Sequence, residues 1–298
     1  MDKKELKQDI KDNKTLSKEL EKALKDEFEK VIDNPTDKNI KEYKEAEDAL
    51  LALWLKDIYS NMVEGINENI QNGKSSAVEQ LRKKGFKKVV DNSDIYTELA
   101  NAKKQLIKAD LEKIVANIKA NTRRNIAEMR DAFILQKKKL ASGFLNTFRK
   151  YGVAYFVDRR GAKWSLARYI DMATTTTMAS VNRQAFFAKS VEWGNDLVKV
   201  YHIDISPECD LCKPFTGKVL SITGKTKGYM SVDEAGQSGH LFSYNCDHDV
   251  HALELAPEKE ENDNKIALTD KNIEYLNKNG FKNIKQKAYY EGRYESLL

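Results

Sequence analysis

Cysteine and histidine residues are concentrated in one short part of this sequence. All three cysteines and all four histidines lie between residues 202 and 251. Cys209 and Cys212 form a Cys-x-x-Cys pair in a proline-flanked turn, and Cys246 and His248 form a Cys-x-His pair. Two sulfurs on a tight turn can converge on one ion, and a later sulfur and imidazole can complete a tetrahedral set. Among common metals, this mixture of ligands suits zinc best.

The spacing leaves the fourth ligand open, because more than one histidine could supply it. Two other interpretations also remain open at this stage. Cys209 and Cys212 could be a redox pair, although the βαβ context and helix N-terminus that lower a thiol pKa are missing around them. Alternatively, the cysteines are small buried hydrophobic residues and the histidines are surface groups. We expect His240 and His251 to be surface residues and not ligands.

The elements that must position these residues differ along the chain. Only four prolines occur, and residues 36 to 206 contain none, which permits long helices. Apolar periodicity predicts a helix over residues 3 to 33 that ends at "DNPTD", and a second that stops at Asn72-Gly73 and packs on the first as a hairpin. A third helix is predicted from Asp94 to Ala141, long enough to lie along another helix as in a coiled coil.

The sequence changes in character after Lys150. A short β element with a glycine turn leads to Trp164, and a helix follows that ends near Gly194. The segments "DLVKVYHID" and "GKVLSIT" favour strands on either side of the cysteine turn, and residues 224 to 239 favour a loop. The predicted fold class is therefore α+β: a long-helix region over 1–150, a small mixed module with the Cys/His cluster over 151–257, and a charged linker and helical tail over 258–298.

Three segments of this module resemble a known family. They are "GAKWSLARYIDMATTTTMAS", "EWGNDLVKVYHIDISPECDLCKPFTGKVLSI" and "GHLFSYNCDHDV". They are similar to the conserved segments of phage minor capsid proteins, the second minor capsid family, and of the related Mu F-type head-morphogenesis proteins. The matching positions are Gly161, Trp164, Leu166, Tyr169, Met172, His202, Cys212, Pro214, Gly217, Lys218, Val219, Asn245, Cys246 and His248.

The resemblance implies that His202, Cys212, Cys246 and His248 cluster, with Cys209 as an additional cysteine. Together with the Cys-x-x-Cys spacing, this gives five metal-ligand candidates for a structural zinc ion: Cys209, Cys212, Cys246, His248 and His202. The resemblance also implies a minor head protein in the capsid interior, attached to the portal and acting in head morphogenesis, DNA passage or both. Portal and other head proteins are then the expected partners, with the host cytoplasm as the place of assembly.

An enzymatic alternative is a zinc-dependent hydrolase or nuclease-like effector carried in the phage head. Acidic residues surround the cluster in sequence, and zinc with three protein ligands leaves a position for water. The sequence has no His-Glu-x-x-His, Gly-x-Ser-x-Gly or phosphate-binding loop motif, so we expect no enzyme, no catalytic residues and no organic cofactor. The acidic candidates are Asp204, Asp210, Asp247 and Asp249.

Charge and hydropathy limit the remaining partners. No apolar stretch is long enough to span a bilayer and the N-terminus has no secretory signal, so a reducing compartment and no membrane are expected. The net charge is +5, but residues 101 to 150 contain 13 Lys or Arg against four acids. The basic stretch 103–150 could contact phage DNA. The simpler alternative is a solvated helix face.

Overall fold

We describe the protein from a computed structural model. The structure describes residues 3–89, 94–134, 142–157, 161–203, 207–243, 246–253 and 266–279. Helices dominate the first half, and small sheets with shorter helices follow, which confirms the predicted α+β class. Among the described residues, no helix is both long and apolar enough to cross a membrane.

Three long helices begin the chain: α1 (Lys3–Asp33), α2 (Asp37–Lys83) and α3 (Asp94–Ile134). The predicted end of α1 before Pro35 is confirmed. At 1.5 Å per residue, α3 is about 60 Å long. The prediction extended α3 to Ala141, but residues 135–141 lie outside the described residues. Coiled-coil packing of this helix stays a prediction.

The predicted end of α2 at Asn72-Gly73 is wrong, because the helix continues for another ten residues to Lys83. Gly73 is a packing residue here and does not end the helix. A Cβ at this position would lie 2.2 Å from the carbonyl oxygen of Asn182 and 3.0 Å from Cβ of Ala185. Both residues belong to α5 (Leu166–Glu192), so the absence of a side chain lets the two backbones approach.

Contacts divide the chain into two compact units. One unit comprises residues 2–65 and 102–175. Its core includes Phe28, whose ring meets Tyr43 edge-on at 5.0 Å and Phe148 at 5.5 Å between centroids. Buried Glu47 accepts hydrogen bonds from Tyr43 and Thr122. Burial raises the pKa of Glu47, partly offset by these two hydrogen bonds.

The same unit contains α4 (Ser142–Tyr151) and an antiparallel hairpin of β1 (Tyr155–Val157) and β2 (Lys163–Ser165). The hairpin confirms the predicted β element before α5, and residues 158–160 of the predicted turn lie outside the described residues. Trp164 pairs with Phe156 across the hairpin and lies under the Arg168 guanidinium, 4.5 Å from it.

The other unit comprises residues 66–101 and 176–298, and it contains every cysteine and histidine. Its sheet has the order β4-β3-β5, with β3 (Leu197–His202) paired antiparallel to both neighbours, β4 (Val219–Ser221) and β5 (His248–Ala252). The two predicted strands correspond to β3 and β4. The predicted end of α5 near Gly194 is also confirmed, since Gly194 has a φ of 75° just after the helix.

Two elements in this unit were not predicted. The segment expected to be a loop contains α6 (Val232–Gly239), because Ser231 and Glu234 form a capping box at its N-terminus. β5 was also missed, although His248, Val250 and Ala252 alternate as buried positions along it. Part of the predicted helical tail is present as α7 (Asp270–Asn279), and residues 280–298 lie outside the described residues. The three-part division at residues 150 and 257 stays a prediction.

The close approach at Gly73 predicts an unusual response to alanine. Gly73→Ala improves helix propensity by about 1 kcal/mol, but its Cβ would overlap the Asn182 carbonyl. We expect a net loss of about 1–3 kcal/mol in the free energy of unfolding, measured by urea denaturation. Gly236→Ala in α6 is the matched control, since its Cβ would meet its nearest atom at 3.5 Å. An unchanged or higher stability of Gly73→Ala would contradict this packing.

Candidate metal centre

The Cys-x-x-Cys segment forms a tight turn held by its own backbone. The Cys209 carbonyl accepts hydrogen bonds from the N–H groups of Cys212 and Lys213, both at 2.9 Å. A 3₁₀ turn over Lys213–Phe215 continues the chain, and the Phe215 N–H donates to the Cys212 carbonyl at 2.9 Å. Cys212 is buried and Cys209 is half-buried. This turn presents two thiols from positions three residues apart in the chain.

The second pair of donors is positioned by β5. His248 faces His202 in the register of β3 and β5, and the Ile203 N–H donates to the Asp247 carbonyl at 2.7 Å. The His248 side chain is almost fully buried, since the residue is 2% exposed. Cys246 lies two residues earlier, where the chain enters the strand. Strand pairing therefore brings a sulfur and an imidazole to the cysteine turn.

The donor atoms lie at distances typical of a metal site. Cys212 Sγ is 4.0 Å from Cys246 Sγ, and Cys246 Sγ is 3.5 Å from His248 Nδ1. Tetrahedral zinc with bonds of about 2.3 Å to sulfur and 2.0 Å to nitrogen separates its ligand atoms by roughly 3.5–3.8 Å. The ligand atoms of Cys212, Cys246 and His248 all lie within 4.8 Å of one another.

The other ring nitrogen of His248 has polar partners. Nε2 lies 3.0 Å from Thr216 Oγ1 and 3.3 Å from Glu208 Oε1, and the Thr216 hydroxyl donates to that same carboxylate. A histidine that binds metal through one nitrogen commonly donates its other N–H to a carboxylate or hydroxyl, which fixes the ring. Nδ1 is therefore the nitrogen left to face the sulfurs.

Electrostatics in the cluster favour a thiolate at Cys246. The hydrogen bond from Cys212 lowers the Cys246 pKa most, ahead of contributions from His248 and from the Phe242 N–H, which donates to Sγ at 3.1 Å. The same hydrogen bond, together with burial, raises the pKa of Cys212. Burial lowers the His248 pKa, but the neighbouring Cys246 and Glu208 raise it by more. A cation between the sulfurs would stabilise both as thiolates.

His240 is a donor that sequence reasoning missed. Its ring nitrogen and the sulfurs of Cys209 and Cys212 all lie within 4.8 Å of one another, and the residue is half-buried. It is the C-cap of α6, with a left-handed φ of 63°. The capping box at Ser231 was a sequence signal for where α6 begins, but it does not fix where the helix ends and so where His240 emerges.

The remaining histidines are His202 and His251. His202 was a predicted ligand, and its ring centroid is 5.0 Å from that of His248. Neither His202 nor His251 belongs to the two metal-compatible groups among the described residues, and both of those groups contain Cys212. His251 stacks near Tyr201 at 5.6 Å between ring centroids, on the alternate face of β5.

Two neighbouring elements hold the cluster in place. Arg183 of α5 donates to the His248 carbonyl at 3.3 Å, and its guanidinium lies 4.1 Å from the centre of the Phe242 ring. From α7, fully buried Asn272 donates to the carbonyls of Leu211 and Ser238 at 2.8 and 3.0 Å. The cysteine turn, α6 and β5 are therefore each tied to a helix.

The comparisons with known proteins identify the family. The model of the family described as phage minor capsid protein 2 matches residues 134–289, just over half of the chain. The chain belongs to the phage minor capsid protein 2 family. All the clustered cysteines and histidines lie inside the matched range. No curated protein and no solved structure matches the chain.

Membership of the minor capsid protein 2 family makes this a protein of the phage virion, with other head proteins as its partners. The predicted family resemblance is thereby confirmed. The predicted relation to Mu F-type proteins stays a prediction.

The contribution of α7 to the stability of the candidate metal centre can be tested by mutation. Asn272→Ala would leave the carbonyls of Leu211 and Ser238 without their donor, and we expect a loss of about 2 kcal/mol in the free energy of unfolding. Lys271→Ala is the control, because its ion pair with Asp210 at 2.5 Å is mostly exposed and should contribute little to the free energy of unfolding. Thermal and urea denaturation measure both. Equal stability of the two variants would contradict the proposed role of α7.

Proposed function

We propose that this minor capsid protein is attached to the portal inside the phage head and acts in head morphogenesis, in DNA passage, or in both. The observation that carries the proposal is the family match over residues 134–289. Long helices before the matched region supply an extended surface for the portal and other head proteins, since α2 and α3 contain 47 and 41 residues. Many of their exposed positions are charged, which suits contacts with hydrophilic partners.

The proposal includes a structural zinc ion that joins the cysteine turn to β5. Cys212, Cys246 and His248 Nδ1 supply three ligands, and Cys209 or His240 supplies the fourth. Support comes from the separations of 4.0 and 3.5 Å between donor atoms and from the polar partners of His248 Nε2. A small module gains folding free energy when a metal crosslinks distant segments of its chain.

A structural role fits these ligands better than the hydrolase or nuclease alternative. In the described part of the chain, neither metal-compatible group contains a carboxylate. Asp210 pairs with Lys271, and Asp249 lies 3.6 Å from Arg183. Asp204 lies outside the described residues. Three sulfurs and two imidazoles exceed the four ligands that tetrahedral zinc requires, so the donors present can close the coordination sphere.

Metal analysis of purified variants tests the zinc proposal. We expect about one zinc per chain in the wild type, and loss of zinc in Cys246→Ser and in His248→Ala. Comparing Cys209→Ser, His240→Ala and His202→Ala identifies the fourth ligand. His251→Ala is the matched control and should retain zinc. Absence of zinc from wild-type protein purified without chelators, and not restored by added zinc, would contradict the structural zinc.

Location in the virion tests the wider function. Mass spectrometry of purified virions should detect the protein in low copy, and chemical crosslinking should join lysines of its helical region to the portal protein. Emptied heads that retain the portal should also retain this protein. Its presence in virions with crosslinks only to major capsid subunits would overturn portal attachment while leaving the family assignment intact.

A further inference from the structure

A basic cavity lies between the C-terminal part of α2 and the end of α5. Its volume is about 540 Å³, and its lining includes Lys74, Glu79, Arg82, Lys83 and Lys189. Four of the eight described lining residues are therefore cationic. Lys74, Val78 and Arg82 follow the helical spacing of one face of α2, so the cations lie along one wall of the cavity.

Three of the cations lie over aromatic rings, and Lys189 Nζ is 5.5 Å from the centre of the Tyr96 ring. Lys74 Nζ is 4.4 Å from the centre of the Tyr96 ring, and the Arg82 guanidinium is 5.8 Å from that of Trp193. A ring face attracts a cation without neutralising its charge, and it leaves N–H groups for other acceptors. The rings thus hold Lys74 and Arg82 in place while preserving their positive charge.

The described acidic side chains near the cavity, Glu79 and Glu192, already form ion pairs. Glu79 pairs with Lys83 at 2.6 Å, and buried Glu192 pairs with Lys189 at 2.5 Å. Glu192 also accepts a hydrogen bond from the Tyr96 hydroxyl at 2.7 Å. The two charges cancel within each pair, so among the described residues the charge left at the cavity is that of Lys74 and Arg82.

The segment after α2 extends the positive surface. Residues 71–89 contain six Lys or Arg and a single acid, a net charge of +5. Lys84, Lys87 and Lys88 follow the helix end directly, and the Val89 N–H donates to the Glu192 carbonyl at 2.9 Å. This hydrogen bond ties the lysine-rich segment to the end of α5, beside the cavity.

The basic stretch 103–150 has a different character where it is described. Three of its cations form ion pairs with acids: Lys113 with Asp110, Lys119 with Asp48, and Arg130 with Asp37. Its excess charge in the sequence is therefore partly compensated within the fold. Among the described residues, Lys74 and Arg82 of the basic cavity contact aromatic rings and not carboxylates.

We propose that the basic cavity and the adjoining lysine segment bind the phosphate backbone of DNA. Lys74 and Arg82 lie eight residues apart on α2, about 12 Å along the helix. One DNA strand carries a phosphate for about every 3.4 Å of duplex axis, so this wall spans three to four phosphates. The choice of DNA as the phosphate polymer rests on the proposed location inside the head. The contact is independent of sequence, because it involves no base edges.

Fluorescence anisotropy with a labelled duplex of about 25 base pairs tests the proposal on the full-length protein. Lys74→Gln/Arg82→Gln should weaken binding about tenfold and reduce the slope of log affinity against log salt by about two, since each phosphate contact contributes about 0.9. The matched control, Lys104→Gln/Lys108→Gln in α3, removes the same charge and should change affinity less than twofold. Circular dichroism confirms that each variant is folded.

A second variant keeps the proposal testable if the first variant does not fold. Lys83→Gln/Lys87→Gln alters two exposed positions and should also weaken binding. Equal losses in the cavity variants and the α3 control would overturn the assignment to this cavity, as would no binding by wild type. Binding of polyglutamate as tight as that of DNA would show a surface for acidic proteins and also overturn it. Virion location is measured separately, so its failure is distinguishable from failure of DNA binding.

Discussion

The antiparallel pairing of β3 with β5 is the constraint on which the candidate metal centre depends. This register sets His202 opposite His248 and Lys199 opposite His251. A slip of one residue would exchange the two faces of β5, moving the buried His248 to the other side of the sheet. The cysteine turn connects β3 with β4, so the same strand pairing also fixes how far Cys212 lies from Cys246. Donors separated by 34 residues in sequence thus meet through the sheet.

Helix packing supports this small sheet from one side. Gly73 permits close contact of α2 with α5, and α5 in turn supplies Arg183 to the His248 carbonyl and to the Phe242 ring. Gln80 of α2 also accepts the Ala252 N–H of β5 at 2.9 Å. Long helices therefore stabilise the strand that carries His248, and the same pair of helices forms the basic cavity. The proposed structural metal and the proposed phosphate-binding surface would therefore share one scaffold without sharing residues.

Much of this organisation followed from local sequence patterns, and the exceptions have physical causes. Apolar periodicity and the Asn34-Pro35 break were enough to place α1, and clustering of the three cysteines indicated the candidate metal centre. Gly73 was misjudged as a helix end, because only tertiary contact shows that its missing side chain faces the Asn182 carbonyl. β5 was missed because the polar residues around His248 obscure a short alternation. The position of His240 near the cysteines could not be predicted from the sequence. The left-handed backbone that orients its side chain depends on how α6 ends.

X-ray absorption at the zinc edge of the purified full-length protein tests the central claim most directly. A site built by the cysteine turn and β5 predicts a first shell with at least two sulfurs at about 2.3 Å and one nitrogen at about 2.0 Å, and with a third sulfur if Cys209 supplies the fourth ligand. A shell of two sulfurs and two nitrogens would indicate that both His240 and His248 bind. A shell of oxygen and nitrogen without sulfur would contradict the account, because the cysteines would then have no part in metal binding.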